Sequence, residues 1–214
     1  DLLGMLADTD KRIRLGSIEC NVIDEKLLSA CKNLKNFAPQ FHLSLQSGSN
    51  AVLKKMNRRY TRAEYLEKCA LIYNFFPDAA ITTDIIAGFP GETDEDFCDS
   101  LSIIEEAGLA RVHAFAFSPR EGTVAYKMKD TPHEIKEARL HKLLAAGRAA
   151  EEKYISRFIG TVRSVIFEDT EGEYTAGYTP NYIKVWLKGC HTGEILNVEL
   201  TTLREGGALA KLAE

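Results

Sequence analysis

The sequence predicts an α/β protein with a parallel sheet, followed by a small antiparallel β-barrel. Up to about residue 157, apolar runs typical of strands alternate with amphipathic segments typical of helices, the pattern of repeated βα units. After Gly160 the pattern changes to short runs of β-forming residues, separated by turns that contain glycine. We therefore predict two domains, residues 1–159 and 160–214. The pattern leaves open whether the parallel sheet is open or rolled into a barrel.

The individual elements follow from these patterns and from helix-start signals. The predicted strands of the first domain lie at 13–19, 41–46, 80–88 and 112–118, and the predicted helices at 24–36, 49–57, 61–76, 93–107 and 131–157. Three of these helices begin with recognisable signals: the capping boxes Thr61-x-x-Glu64 and Thr93-x-x-Asp96, and the proline of Thr131-Pro132 at the first helical position. The predicted barrel strands lie at 162–167, 173–178, 183–187 and 198–200. A barrel of roughly 55 residues is of marginal size for folding alone.

The composition is that of a soluble globular protein, with 45% hydrophobic and 27% charged residues among 214. No run approaches the roughly 18 apolar residues of a membrane helix, and no signal-peptide pattern opens the chain. We therefore predict a cytoplasmic location and no membrane partner. The net charge of −4 gives no general attraction to nucleic acid, so RNA binding would depend on local basic patches such as residues 54–62. Because the chain begins with Asp1, we expect a fragment of a longer protein.

The five cysteines lie far apart in the sequence, at positions 20, 31, 69, 98 and 190. Metal and cluster sites usually take thiolates two to four residues apart, and no such pair occurs here. We predict buried free thiols and no metal or iron–sulfur cluster bound by this chain.

The segment TDIIAGFPGET at 83–93 is the strongest indication of a site. It leads from a buried strand through a turn into a capped helix, and Gly88 and Gly91 free the backbone where the strand ends. Ligands of α/β proteins bind beyond the carboxyl ends of the strands, so this turn is where a cofactor is expected. Asp84 lies within the apolar strand, and a buried carboxylate requires a partner.

Other candidate residues lie at the ends of the remaining strands. Alternation over 41–46 places His42, Ser44 and Gln46 on the interior face, where they line either a ligand cavity or a polar layer satisfied within the chain. Glu19, at the end of the first strand, is either solvated or a ligand group. Arg120 follows the last strand and suits a carboxylate or phosphate, although a plain surface arginine fits equally well. Four aromatic residues of the second domain are either base-stacking groups or core residues: Tyr174, Tyr178, Tyr182 and Trp186.

These motifs, taken in order, resemble those of the radical S-adenosylmethionine (SAM) methylthiotransferases. The motifs are HLSLQSGS at 42–49, MNRRY at 56–60, TDIIAGFPGET at 83–93 and FSPREGT at 117–123. The part after Gly160, with GYTPNY at 177–182, resembles their TRAM domain, which binds tRNA. Together with GSIE at 16–19, they favour the branch that modifies threonylcarbamoyladenosine in tRNA.

The resemblance implies a partial six-stranded βα barrel, of which this chain would hold the last four units. It also implies a [4Fe-4S] cluster that cleaves SAM to a deoxyadenosyl radical, and a second [4Fe-4S] cluster that supplies sulfur. The radical would abstract hydrogen from C2 of an adenine next to the anticodon, where a methylthio group is then installed. The cysteine trios of both clusters would lie upstream of Asp1, so the chain should be inactive alone.

The resemblance also assigns site residues and partners. Glu19 and Asp84 would accept hydrogen bonds from the ribose hydroxyls or the amino group of SAM, with Gln46 beside them, and Arg58 would pair with the SAM carboxylate. The remaining positions are Ile86 and Ser118, bordering the adenine, and Arg120, a contact of substrate or cofactor. The partners would be the tRNA anticodon stem-loop and an electron donor such as flavodoxin or ferredoxin. Two alternatives stay open: a methylthiotransferase for isopentenyladenosine in tRNA or for a ribosomal protein, and a non-catalytic RNA-binding module.

Overall fold

The computed structural model describes residues 2–213 and contains a parallel sheet followed by a closed β-barrel. The strands of the sheet are β1 (Ser17–Ile18), β2 (Gln40–Leu43), β3 (Ala80–Ala87) and β4 (Arg111–Ala116). They lie side by side in chain order, and each pairs in parallel with the next. The parallel α/β prediction is confirmed.

Within residues 2–213, six α-helices accompany the sheet. They are α1 (Leu2–Met5), α2 (Glu25–Lys32), α3 (Asn50–Lys55), α4 (Arg62–Phe75), α5 (Asp94–Glu106) and α6 (His133–Ser156). Both predicted capping boxes form, at Thr61 and at Thr93. The predicted position of Pro132 was wrong by one residue, since Pro132, with a non-helical ψ of 141°, is the N-cap of α6 and not its first residue.

Two strands of the sheet are shorter than predicted, for different reasons. In place of a strand over 13–19, Ile13 makes only an isolated bridge to Phe37, and β1 has two residues. The stretch before β1 is drawn towards the barrel, because Arg12 Nη1 donates to the Tyr178 carbonyl at 3.0 Å. Strand β2 stops at Leu43, and Gln46 has the left-handed φ of 73°, which is incompatible with a continuing strand.

In the part of the chain that the structure describes, five strands close the barrel in the order β5-β6-β7-β9-β8. They are β5 (Val162–Glu171), β6 (Tyr174–Tyr178), β7 (Lys184–Lys188), β8 (Ile195–Arg204) and β9 (Gly207–Leu212). The predicted small barrel is confirmed, but its wholly antiparallel arrangement was wrong, because β7 and β9 pair in parallel. Strand β9 was missed. Its first residue, Gly207, has no room for a side chain, since a Cβ there would lie 2.2 Å from the Lys184 carbonyl oxygen.

The barrel packs against the amino-terminal end of the sheet. Ala80 and Ala110, at the starts of β3 and β4, belong to the barrel's hydrophobic core together with Tyr154 and Phe158 from the end of α6 and the turn after it. Polar contacts meet there at Asp78, whose carbonyl accepts hydrogen bonds from Tyr154 Oη (2.9 Å) and from the Asn181 side-chain amide (3.1 Å). The carboxyl-terminal end of the sheet is therefore the end that the barrel does not cover. Among the described residues, none of the helices has the length and apolar character needed to cross a bilayer.

Candidate functional site

Three of the predicted site residues meet at the carboxyl-terminal end of β2 and β3. The backbone N–H of Gln46 donates to the backbone carbonyl of Asp84 at 2.8 Å. The backbone N–H of Ile86 donates to the backbone carbonyl of Gln46 at 2.9 Å. These two bonds continue the β2–β3 pairing as an isolated bridge after β2 itself has ended. Gln46, Asp84 and Ile86 are thus held together by the backbone, and all three side chains are half-buried.

A second group gathers at the end of β1. An open cavity of about 370 Å³ is lined by Glu19, Asn21, Met56, Asn57, Arg58, Arg59 and Tyr60. Glu19 is exposed and Arg58 is half-buried, so a carboxylate and a guanidinium face one space. This is a suitable arrangement for a ligand that carries both a positive and a negative group.

Tyr60 connects the two groups. Its hydroxyl donates to the carbonyls of Ser44 (2.7 Å) and Leu45 (3.0 Å), the two residues before Gln46. Burial raises the pKa of Tyr60 to about 12, so the hydroxyl keeps its proton and remains a donor. The loop that carries Arg58 is therefore fastened to the end of β2.

Backbone strain is concentrated in the same place. Among the described residues, three non-glycine residues have positive φ: Gln46 (73°), Asn57 (57°) and Tyr182 (65°). Gln46 follows the end of β2, and Asn57 precedes Arg58 in the loop that lines the cavity. Residues outside glycine adopt this conformation at a cost, and such strain is enriched at ligand-binding sites.

The required partner of Asp84 lies within the chain. Asp84 Oδ2 lies 3.2 Å from His42 Nε2 and 3.4 Å from Ser44 Oγ, and His42 Nδ1 lies 3.0 Å from Thr82 Oγ1. The predicted alternation over 41–46 is confirmed, because the apolar residues are buried while His42, Ser44 and Gln46 are half-buried on the opposite face. These polar side chains bond to one another, and Asp84 still keeps 27% of its side-chain surface exposed.

The remaining predicted residues lie on the loop after β4. The Phe117 amide donates to the Ala87 carbonyl at 2.9 Å, which holds the start of this loop beside the end of β3. Ser118 and Arg120 are both exposed, and the Arg120 carbonyl closes a turn with Thr123. The described side-chain hydrogen bonds do not join Ser118 or Arg120 to the other predicted residues.

Glu92, in the turn after β3, was missed by the sequence analysis. Its fully buried carboxylate accepts a hydrogen bond from the Gly88 amide (2.8 Å) and forms an ion pair with Arg139 (2.7 Å). Burial raises the pKa of Glu92, while the Gly88 amide and the Arg139 guanidinium partly oppose this shift. Gly88 itself has φ 71°, and a Cβ there would lie 2.4 Å from Lys136 Cγ. Glu92 therefore fixes the shape of the turn. A local sequence pattern could not reveal it, because Arg139 lies 47 residues away.

The basic run at 54–62 was singled out as a local patch that could bind RNA, and part of it already bonds other parts of the chain. Lys55 Nζ donates to the Gly91 carbonyl at 2.7 Å, and Arg62 bonds two backbone carbonyls, the Ser102 hydroxyl and the Glu106 carboxylate. These contacts tie α3 and α4 to the turn after β3 and to α5. Arg58 and Arg59, which line the cavity, are the members of the run that face the site.

The aromatic residues of the barrel divide into two kinds. Trp186 is a core residue, 5% exposed, and its indole N–H donates to Glu171 at 2.6 Å. Tyr182 is 41% exposed and stacks on Tyr178 with ring centroids 4.6 Å apart, while Arg14 covers the Tyr182 ring at 4.4 Å. Of these, Tyr182 is the residue with an exposed aromatic surface.

The cysteines are free, but the prediction that they are buried was wrong for two of them. Cys20, Cys31 and Cys69 are buried, whereas Cys98 and Cys190 are exposed. Burial raises the pKa of Cys20 and Cys31 to about 11 and that of Cys69 to about 12, so these three stay protonated thiols. Across residues 2–213, no group of three histidine, cysteine or acidic side chains is placed to hold a metal ion.

Comparisons with known proteins find one family model that matches part of the chain and two solved structures with a similar fold. Residues 5–104 match the family model described as the radical SAM superfamily. Two solved structures share the fold: coproporphyrinogen III oxidase from Escherichia coli, a radical SAM enzyme, and an N-terminally truncated Elp3 from Methanocaldococcus infernus. The first superposes with a TM-score of 0.56 at 16% identity, covering 84% of this chain and 50% of that one. The second gives 0.52 at 11%, covering 93% and 65%.

The sequence is also similar to the sequences of proteins that are named as tRNA-modifying enzymes. The threonylcarbamoyladenosine tRNA methylthiotransferase MtaB of Thermotoga maritima is 37% identical over 96% of this chain and 48% of that protein. The MtaB of Bacillus subtilis is 36% identical over 89% and 44%. A tRNA-2-methylthio-N(6)-dimethylallyladenosine synthase of Geobacillus thermodenitrificans is 38% identical over 100% and 42%. The chain spans about half the length of these curated relatives. The resemblance to the radical SAM tRNA methylthiotransferases that the motifs predicted is confirmed.

Proposed function

We propose that this chain is part of a radical SAM methylthiotransferase that adds a methylthio group to C2 of threonylcarbamoyladenosine, next to the anticodon of tRNA. The observation that carries the proposal is the grouping of carboxylate, amide and guanidinium side chains at the uncovered end of the parallel sheet, in a chain related to such enzymes. In this proposal, residues 1–159 form the last four units of a partial βα barrel, and residues 160–214 form a TRAM-like domain.

The side chains fit the chemistry of SAM, which carries an ammonium group, a carboxylate, ribose hydroxyls and an adenine. Glu19 and Asp84 supply acceptors for the hydroxyls or the ammonium group, and Arg58 supplies a donor for the carboxylate. Gln46 binds beside them. Ile86 and Ser118 border the adenine, and Arg120 contacts either the cofactor or the RNA.

SAM and two [4Fe-4S] clusters would supply the deoxyadenosyl radical and the sulfur atom. The role of this chain is to hold and orient SAM, because it has no cysteine trio with the spacing of a cluster site. We place the cluster ligands upstream of Asp1, expect this chain to be inactive alone, and expect a flavodoxin or ferredoxin to deliver the electron in the cytoplasm.

The substrate in this proposal is the anticodon stem-loop. Arg58 and Arg59 at the cavity, and the exposed Tyr182 with Arg14 beside it, offer guanidinium groups and an aromatic face to RNA. The net charge of −4 makes such local groups necessary, since the whole chain does not attract phosphates.

A second substrate stays open because of one observation. The relative from Geobacillus thermodenitrificans, named for dimethylallyladenosine, is as similar to this chain as the relatives named for threonylcarbamoyladenosine. Identity therefore does not separate the two branches, and our assignment rests on the GSIE motif at 16–19 and on the ordered motifs.

The deciding experiment is mass spectrometry of tRNA nucleosides from a strain that lacks the gene, compared with the same strain carrying the full-length gene. We expect the methylthio group to disappear from threonylcarbamoyladenosine and to return on complementation. Its disappearance from isopentenyladenosine would replace our substrate with the second candidate. Unchanged tRNA nucleosides would leave a ribosomal protein substrate or a non-catalytic RNA-binding role.

A further inference from the structure

A continuous row of polar side chains runs up one face of the sheet towards Asp84. The Gln40 side-chain amide lies 3.0 Å from Thr82 Oγ1, which in turn lies 3.0 Å from His42 Nδ1. His42 Nε2 lies 3.2 Å from Asp84 Oδ2. Gln40 and Thr82 are 5% and 7% exposed, so the row begins in the protein interior and ends at the candidate site.

The chemistry of the two ends is consistent with one direction for these hydrogen bonds. An ionised carboxylate only accepts, so His42 Nε2 must carry a proton where it faces Asp84. The amide nitrogen of Gln40 only donates, so Thr82 Oγ1 accepts from Gln40 and has its own proton to donate to His42 Nδ1. A neutral imidazole protonated on Nε2 satisfies every contact in the row.

His42 faces a second imidazole ring and a carboxylate. The ring of His113 lies 5.9 Å from that of His42, and burial together with the Arg111 guanidinium lowers the pKa of His113. His113 is therefore uncharged near neutral pH. Asp84 is the acidic group that contacts His42, and Ser44 Oγ adds a second contact to the same carboxylate oxygen at 3.4 Å.

We infer that His42 is a positioning residue, held by Thr82 in the tautomer protonated on Nε2, which orients Asp84 towards a ligand. Both contacts to Asp84 use Oδ2, and the hydrogen bonds described for residues 2–213 give Oδ1 no partner. One carboxylate oxygen of Asp84, Oδ2, is therefore bonded within the protein. The other, Oδ1, lies on a partly exposed side chain and is available to a donor group of the ligand. The identity of that ligand as SAM rests on the proposed function.

The test compares matched variants of the full-length protein. Thr82→Val removes the hydroxyl at nearly constant volume, and Thr82→Ser keeps it. His42→Leu removes the donor to Asp84, and His42→Gln keeps an N–H near the position of Nε2. Equilibrium dialysis with SAM should show about 3- to 10-fold weaker binding for Thr82→Val and His42→Leu, the scale of one hydrogen bond. We expect Thr82→Ser and His42→Gln to stay close to the wild-type affinity.

A spectroscopic readout distinguishes positioning from a merely structural role. In protein labelled with ¹⁵N-histidine, the His42 resonances, assigned by their loss in His42→Gln, should show a protonated Nε2 and an unprotonated Nδ1. Thr82→Val should change this signature, and Thr82→Ser should not. A His42 protonated on Nδ1, or full SAM affinity in both Thr82→Val and His42→Leu, would overturn the inference. Wild-type protein that shows the expected tautomer but binds no SAM would instead reject the proposed cofactor.

Discussion

At the amino-terminal end of the sheet the polar groups pair with the barrel, whereas at the carboxyl-terminal end several remain available to a ligand. Near the barrel, Asn181 donates to both the Asp78 carbonyl and Tyr154 Oη, and Arg163 forms an ion pair with Asp78 at 2.9 Å. At the opposite end, Glu19 is exposed and Arg58 lines an open cavity. The first end is an interface with the barrel and the second is the candidate site, so changes at the two ends should affect different properties.

The largest effect is expected from the interface with the barrel. Phe158 is 2% exposed and packs in the core that joins α6 to the barrel. Phe158→Ala should reduce the free energy of unfolding by about 3–5 kcal/mol, the usual cost of deleting a buried aromatic ring. Urea denaturation measures this loss. Ile195→Ala, at a position 66% exposed, is the control and should stay within about 0.5 kcal/mol of wild type. An equal effect of the two variants would contradict the described interface.

A somewhat smaller effect is expected from the ion pair behind the turn after β3. Arg139→Met leaves the buried Glu92 carboxylate without its cation and should cost about 3 kcal/mol near neutral pH. The folded-state pKa of Glu92 is already raised by burial, so its folded form holds a proton more strongly than its unfolded form. Stability linked to this group is therefore present at low pH and is lost as the pH rises through the folded pKa.

The check is urea denaturation of wild type and Arg139→Met at about pH 4, below the ordinary pKa of a glutamate carboxyl group, and at about pH 8. The difference between the two proteins should be larger at the higher pH. Glu92→Gln combined with Arg139→Met is the control, since it has no carboxyl group to titrate at this position. A difference that is independent of pH would show that Arg139 does not act through the charge of Glu92, and would leave its bonds to the Glu92 carbonyl and to Asp94 as its contribution.

These elements also indicate what could be predicted from sequence. The capping boxes at Thr61 and Thr93 and the alternation around His42 were predictable, because each depends on residues a few positions apart. Strand β9 was missed because its sequence, GALAKL, has few strongly β-forming residues, and its conformation is decided by pairing with β7 and β8. The Asp84 partner was sought in a ligand, whereas His42 lies beside it only through the register of β2 and β3.

Intermediate effects are expected at the site itself, on SAM binding and not on folding. Arg58→Ala and Asp84→Asn in the full-length protein should each weaken SAM binding by about 1–3 kcal/mol, the scale of a hydrogen bond to a charged group. Isothermal titration calorimetry gives the affinities. Lys54→Ala, an exposed position in the same basic run, is the control and should leave them unchanged. Unchanged affinity in both site variants would show that Arg58 and Asp84 do not bind SAM. The carboxyl-terminal end of the sheet would then not differ from the barrel end in the way proposed.

The smallest effect is expected from the strained backbone at Gln46, and it should have opposite signs for stability and binding. Gln46→Gly relieves the left-handed φ of 73°, so the free energy of unfolding should rise by up to about 1 kcal/mol, reduced by the greater freedom of glycine in the unfolded chain. SAM affinity should fall at the same time, because the side chain beside Asp84 is lost. Asn57→Gly is a useful comparison, since it relieves a φ of 57° without removing an assigned ligand group. Thermal denaturation and SAM titration of both variants would test this. If Gln46→Gly lost stability and kept its affinity, the strain at the end of β2 would serve the fold and not the site.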